Sequence, residues 1–233
     1  MPGYTRSMKA SNPGQETLKV LRTNRYFSSF SRLSQFVLVA SMIALPFVWA
    51  PRAAFADSVE ETSQVCAGCH GEAGVPIDKT IPVIWGQRRE YLLDQLMDFK
   101  TGHRKNETMA GIVGEMSKSD LEALASYFSK QKWPSLGQTA APADVKEKAI
   151  DTIVRLNCKG CHQEHFQGDY VRPALRGQQD EYLLKTMTDF HSGERANFPP
   201  MEALMQSLHE DDLKTIATYL AGLPPEAPVV GQK

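Results

Sequence analysis

The sequence predicts an all-α protein of two tandem helical domains. Three observations support this: an internal repeat over most of the chain, apolar residues at helical spacing in both copies, and no convincing alternating strand pattern. The 233 residues exceed what one small domain needs and suit two. Compared with itself, the chain aligns Cys66 to Pro134 with Cys158 to Pro224 at an offset of 91 to 92 residues. Gly86-Gln87 returns as Gly177-Gln178, Tyr91-Leu92-Leu93 as Tyr182-Leu183-Leu184, and Asp98-Phe99 as Asp189-Phe190. Gly102, Arg104 and Asn106 return as Gly193, Arg195 and Asn197, and each copy closes on an Ala-x-Tyr pattern at Ala125 and Ala217.

Residues 1–56 stand apart from the repeat. Six basic residues from Arg6 to Arg32 face a single acid, Glu16, and precede the apolar run Phe36 to Ala50. Ala54-Phe55-Ala56 then offers the small-x-small pattern that signal peptidase reads, so 1–56 is expected to be a long signal peptide cleaved before Asp57. The competing reading, an uncleaved anchor over the uncharged stretch Leu33 to Pro51, is disfavoured by Pro46 and by the cleavage pattern. Translation starting later, at Met8, is another reading of so long a leader.

The first domain is expected over 57–133. A helix over 58–67 runs into Cys66, a second covers 88–100, and Ser117-x-x-Asp120 reads as a capping box opening a third over Leu121 to Lys130. The segment 134–144, rich in Pro, Ala, Gly and Ser, reads as a linker rather than a packed element. The second domain, 145–223, repeats the scheme with helices over 145–157, 179–191 and Leu213 to Leu220, the last preceded by Ser207-x-x-Glu210. Residues 224–233 read as a frayed tail.

Composition, at 42% hydrophobic and 9% aromatic, excludes a disordered or collagen-like chain. Without residues 1–56 there remain 19 basic against 26 acidic residues, a net charge of about −7. No basic tract interleaved with aromatics survives, which argues against a nucleic-acid partner and favours steering toward a basic docking patch.

All four cysteines fall in two pentapeptides, Cys66-Ala67-Gly68-Cys69-His70 and Cys158-Lys159-Gly160-Cys161-His162. Cys-x-x-Cys-His is the attachment pattern of c-type heme: two thiols reach the two vinyl groups on one porphyrin edge, and the adjacent histidine turns to the iron. Two alternatives compete. A structural zinc would require both pairs to meet in one site, and a redox dithiol gives no reason for the histidines. The expected cofactors are two heme c, bound through Cys66, Cys69, Cys158 and Cys161, with His70 and His162 on the irons.

The repeat also nominates the opposite iron ligands. His70 to Met109 and His162 to Met201 are both 39 residues, while Met97, Met116 and Met205 align with non-methionines and read as core filler. His/Met ligation is the pattern of electron-transfer cytochromes. His103, His165, His191 and His209 have no equivalents in the other copy, so surface or supporting roles suit them. Pro82 and Pro173, 12 and 11 residues after their histidines, could offer a carbonyl to the ring N–H. Gln87, Gln178, Tyr91, Tyr182, Arg104 and Arg195 suit either heme propionates or helix packing, and Trp85 and Trp133 suit packing.

These motifs, the Pro-x-x-x-Gly-Gln-x-x-x-Tyr-Leu segments at 82–92 and 173–183 and the closing Ala-x-Tyr helices resemble the class I cytochromes c. In their duplicated arrangement they resemble the diheme cytochrome c4 group. The resemblance implies two cytochrome c-like domains related by a pseudo-twofold, and periplasmic single-electron transfer from a dehydrogenase or quinol-oxidising complex to an acceptor such as a terminal oxidase. The cytochrome subunit of flavocytochrome c sulfide dehydrogenase is similar too, which implies an alternative: the heme-bearing, electron-accepting subunit of a flavoprotein dehydrogenase. In either case the chain is no enzyme in itself. Its expected partners are redox proteins, with association at a membrane surface compatible. A diheme peroxidase fits less well, because matched methionines leave no open iron. Two departures from the family pattern, Trp85 opposite Arg176 and the insertion Phe198-Pro199-Pro200, bear on the heme surroundings.

Overall fold

The computed structural model describes residues 58–226; the expected signal segment, its cleavage point and the end of the tail lie outside them. Among the described residues nine helices and no strand occur. They are α1 (Val59–His70), α2 (Arg89–Thr101), α3 (Glu107–Val113), α4 (Lys118–Ser129), α5 (Ala143–Arg155), α6 (Cys158–His162), α7 (Asp180–Ser192), α8 (Pro199–Gln206) and α9 (Glu210–Ala221).

Local chemistry explains most boundaries. Ser58 caps α1 by accepting from the Glu61 N–H, and Glu60 and Glu61 sit in the first turn, where the helix dipole favours anions. Ser117 and Asp120 form the expected capping box of α4. The expected box at Ser207 does not form. Ser207 terminates α8, its hydroxyl donating to Leu204 O at 2.7 Å, and α9 starts at His209, whose N–H donates to Asp212 at 3.2 Å. α2 and α7 both end on a left-handed glycine, Gly102 at φ 78° and Gly193 at φ 77°.

The helix expected over 145–157 also differs. It stops at Arg155, and Asn157 adopts φ 53° before α6 begins, a conformation that asparagine tolerates better than most residues. Its amide lies where a side chain at position 160 would stand, so Gly160 of the second heme motif permits the break. α1 instead runs unbroken through its motif.

The two domains use the same three packings: α1 on α4, α2 on α4 and α2 on α3 in the first, and α5 on α9, α7 on α9 and α7 on α8 in the second. α3 and α8 were not anticipated from periodicity. In the second domain Ile153, Leu183, Phe190, Leu213, Ile216 and Leu220 belong to one buried cluster. In the first, the buried residues fall into two clusters, around Leu124 and Phe128 and around Phe99 and Leu121.

The linker is packed, contrary to expectation. Gln138 donates to Gln178 O at 2.9 Å and to Ala221 O at 3.1 Å, and accepts from the Asp180 N–H at 3.1 Å, pinning the segment to the second domain. The first residues of the tail are held too, since Arg176 Nε donates to Pro224 O at 2.6 Å.

The seam between domains is reciprocal. Gln87 reaches Ala174, and its repeat counterpart Gln178 reaches Val83, the counterpart of Ala174. Residue i meeting j while j′ meets i′ is the mark of a twofold-related interface. The fold is therefore all-α, with two equivalent domains facing each other across a pseudo-twofold.

Candidate functional site

α1 ends on His70, and the chain then turns so that the Pro82 carbonyl faces its ring: Nδ1 donates to Pro82 O at 2.8 Å. His162, at the end of α6, makes the same bond to Pro173 O at 3.1 Å. A carbonyl oxygen can only accept, so in both rings the proton sits on Nδ1 and Nε2 keeps a free lone pair. Both rings are buried, at 8% and 7% exposure. Burial pushes both imidazoles below their ordinary pKa against the opposing effect of the carbonyls, which favours the neutral form that binds metal. The proline carbonyls anticipated from the repeat thus occupy the expected place.

In the first domain Cys66, Cys69, His70 and Met109 line one cleft, with Ile84, Leu92, Leu96, Ile112 and Phe128 among its apolar walls. Asn106 places Met109 by accepting its backbone N–H at 2.9 Å at the start of α3. In the second domain Cys158 and Met201 pack against a core holding the repeat equivalents of those walls, Leu175, Leu183, Met187, Leu204 and Leu220. Met201 is placed differently: Phe198-Pro199-Pro200 starts α8, prolines standing where a helix needs no N–H, and Met201 N donates to Phe198 O at 3.0 Å.

The donor set fits a c-type heme. Two thiols, one neutral imidazole and one thioether meet on an apolar cleft, which suits a flat, largely apolar group with iron at its centre. Burial pushes the Cys66 thiol up to about 11 and the Cys158 thiol upward as well. The zinc alternative fails on placement. The two cysteine pairs lie in separate domains, and no three His, Cys, Asp or Glu side chains among the described residues converge on a metal-sized site.

The other recurring residues build the seam. The Gly102 and Gly193 turns bring Arg104 N to Asp98 O at 3.1 Å and Arg195 N to Asp189 O at 2.9 Å. Each guanidinium then stacks on the phenylalanine of its own Asp-Phe pair, 4.6 Å above Phe99 and 4.4 Å above Phe190. Gln95 Oε1 accepts from Arg104 at 2.9 Å and from Arg195 across the seam at 2.7 Å. Arg104 also donates to Tyr182 at 3.2 Å, and Asn197 to Asp98 at 2.6 Å. Burial alone would raise the Tyr182 phenol, but Arg104 and Arg195 outweigh it and bring the group to about 7, while burial holds Tyr91 above the usual value. Gln95 was missed at the sequence level because its repeat counterpart is Thr186.

The amides of Gln87 and Gln178 are taken up by backbone of the opposite domain. Trp133 donates weakly to Gly177 O at 3.4 Å. Trp85 packs against the core of its own domain and over Gly74, and its indole N–H is buried without a partner. Of the unmatched histidines, His103 stands 3.7 Å from Asp98, and His191 Nδ1 donates to Met205 O at 2.8 Å.

A sequence model of the cytochrome c family matches residues 147–224, the second copy of the repeat. Cytochrome c4 of Azotobacter vinelandii is 34% identical over 181 residues, covering 68% of this chain and 84% of that protein. The crystal structure of reduced recombinant cytochrome c4 from Pseudomonas stutzeri superposes with a TM-score of 0.64 at 30% identity, over 72% of this chain and all of that one. A thiosulfate dehydrogenase electron acceptor of Thiomonas intermedia is 29% identical over 213 residues, covering 84% of this chain and 94% of that protein. No helix among the described residues is long and apolar enough to cross a membrane. With duplicated helical domains, two heme-attachment motifs and these relatives, the chain belongs to the cytochrome c4 family, a diheme c-type cytochrome that carries electrons rather than catalysing a reaction.

Proposed function

We propose that the domains 57–133 and 145–223 each hold one heme c, through Cys66 and Cys69 in the first and Cys158 and Cys161 in the second. His70 and Met109 would hold the first iron, His162 and Met201 the second. The observation that carries this reading is the matched pair of buried imidazoles, each fixed by a proline carbonyl with Nε2 free. When bound, each heme supplies a one-electron couple whose potential the thioether ligand raises.

The chain's own residues hold and insulate that couple. Pro82 and Pro173 fix the ring planes, Asn106 and the Pro199-Pro200 turn set the methionine backbones, and the apolar walls keep water out. With two ligands to each iron supplied by the chain, no position would be left open for substrate.

The protein is an exported, periplasmic carrier that collects single electrons from a dehydrogenase or quinol-oxidising complex and delivers them to a terminal acceptor such as an oxidase. The Thiomonas relative, named for accepting electrons from a dehydrogenase, favours a dehydrogenase as donor. Met109→Ala and Met201→Ala test the site: each should open one heme, lower its potential and leave the covalent attachment intact. A native ferric spectrum with the weak methionine-to-iron band in either variant would falsify that ligand. Copurification of a stable flavoprotein complex would replace the free carrier with a dehydrogenase subunit.

A further inference from the structure

The peptide unit joining Pro82 to Val83 is engaged at both ends. Its carbonyl accepts the His70 Nδ1–H at 2.8 Å, and its N–H donates to Oε1 of Gln178, in the other domain, at 2.8 Å. The unit joining Pro173 to Ala174 does the same, accepting from His162 at 3.1 Å and donating to Gln87 Oε1 at 2.8 Å. Each glutamine closes the contact by donating Nε2 to the next carbonyl, Val83 O or Ala174 O, both at 3.0 Å. Gln87, Gln178, Val83 and Ala174 are all buried, so water does not compete for these bonds.

We propose that these contacts form a reciprocal relay by which each domain tunes the iron-ligating histidine of the other: Gln178 acts on His70, and Gln87 on His162. Peptide resonance links the two ends of the unit, so an acceptor on the N–H shifts electron density onto the carbonyl oxygen. The stronger carbonyl draws the Nδ1 proton further, which makes Nε2 a better donor and favours the oxidised iron. Docking of the two domains therefore lowers both potentials, each from the far side of the seam. The glutamines are positioning residues, and the proposal rests on the ligation by His70 and His162 given above.

The test is a redox titration of the diheme protein, followed domain by domain through the heme methyl resonances. Gln178→Met, of similar length but without either bond, should raise the potential of the heme on Cys66 and Cys69 and leave the other in place. Gln87→Met should do the reverse. Gln178→Glu, which keeps an oxygen opposite the Val83 N–H, should return the first potential to the wild-type value or below it. A shift in the variant's own domain, equal shifts of both hemes, no shift, or a glutamate variant that moves with the methionine variant would each overturn the relay. Failure of the ligand assignment is separable: it would leave the low-spin spectrum of His70→Ala or His162→Ala unchanged, whereas a failed relay leaves those spectra altered and the potentials of the glutamine variants at the wild-type values.

Discussion

Gly86 and Gly177 do the same work in the two copies. At φ 71° and 65° their N–H groups bond Phe128 O at 2.8 Å and Leu220 O at 2.9 Å, tying the loop after each proline to the last helix. A Cβ at position 86 would lie 3.0 Å from Gln131 O and from Trp133 N. Gly86→Ala is expected to destabilise the protein by about 1–3 kcal/mol, seen as a lower thermal midpoint with heme content unchanged. Tyr182 gives a pH-dependent counterpart. Its phenol releases a proton near 7 in the fold but only near about 10 when unfolded, so between these values the unfolded chain binds more protons and folding stability rises with pH. Tyr182→Phe should flatten that rise in denaturation midpoints measured from pH 7 to 10, and an unchanged slope would refute it. Sequence spacing revealed the proline carbonyls, because each falls at nearly the same distance from its histidine. The partners of Gln87 and Gln178 were hidden, because a repeat aligns residues with their equivalents and never with what they touch.

At the scale of elements, the long amphipathic helices were legible and the short ones were not. α3 and α8 have only seven and eight residues, and their apolar side chains serve the heme cleft and its counterpart core, so no helical stripe stands out. A usable signal did exist at α8, since paired prolines at 199 and 200 mark a helix start. The break at Asn157 was invisible because the apolar period of α5 continues toward the cysteine motif while the backbone does not. The capping box of α4 is the simplest element to test. Ser117→Ala should cost about 1 kcal/mol, read from denaturant midpoints, with the heme spectrum unaltered.

At the scale of the molecule, each domain is small and buries a correspondingly limited apolar core of its own. Leu92, Leu124, Ala125 and Phe128 of one buried cluster and Val113 of the other line the cleft, so a heme held there would complete that core. Protein expressed with Cys66→Ser and Cys69→Ser, and so lacking the first heme, should lose helical circular dichroism over 57–133 and become protease-sensitive there. Retention of the full helical signal would contradict this. The seam that joins the domains also carries a record of how it arose. Gln95 supplies one oxygen to guanidinium groups from both halves, and no glutamine stands at the matching place in the second half. A fusion of two second halves would bring two buried cations together with no shared acceptor. The two halves are therefore not interchangeable at this point: the oxygen both guanidinium groups share comes from the first half alone.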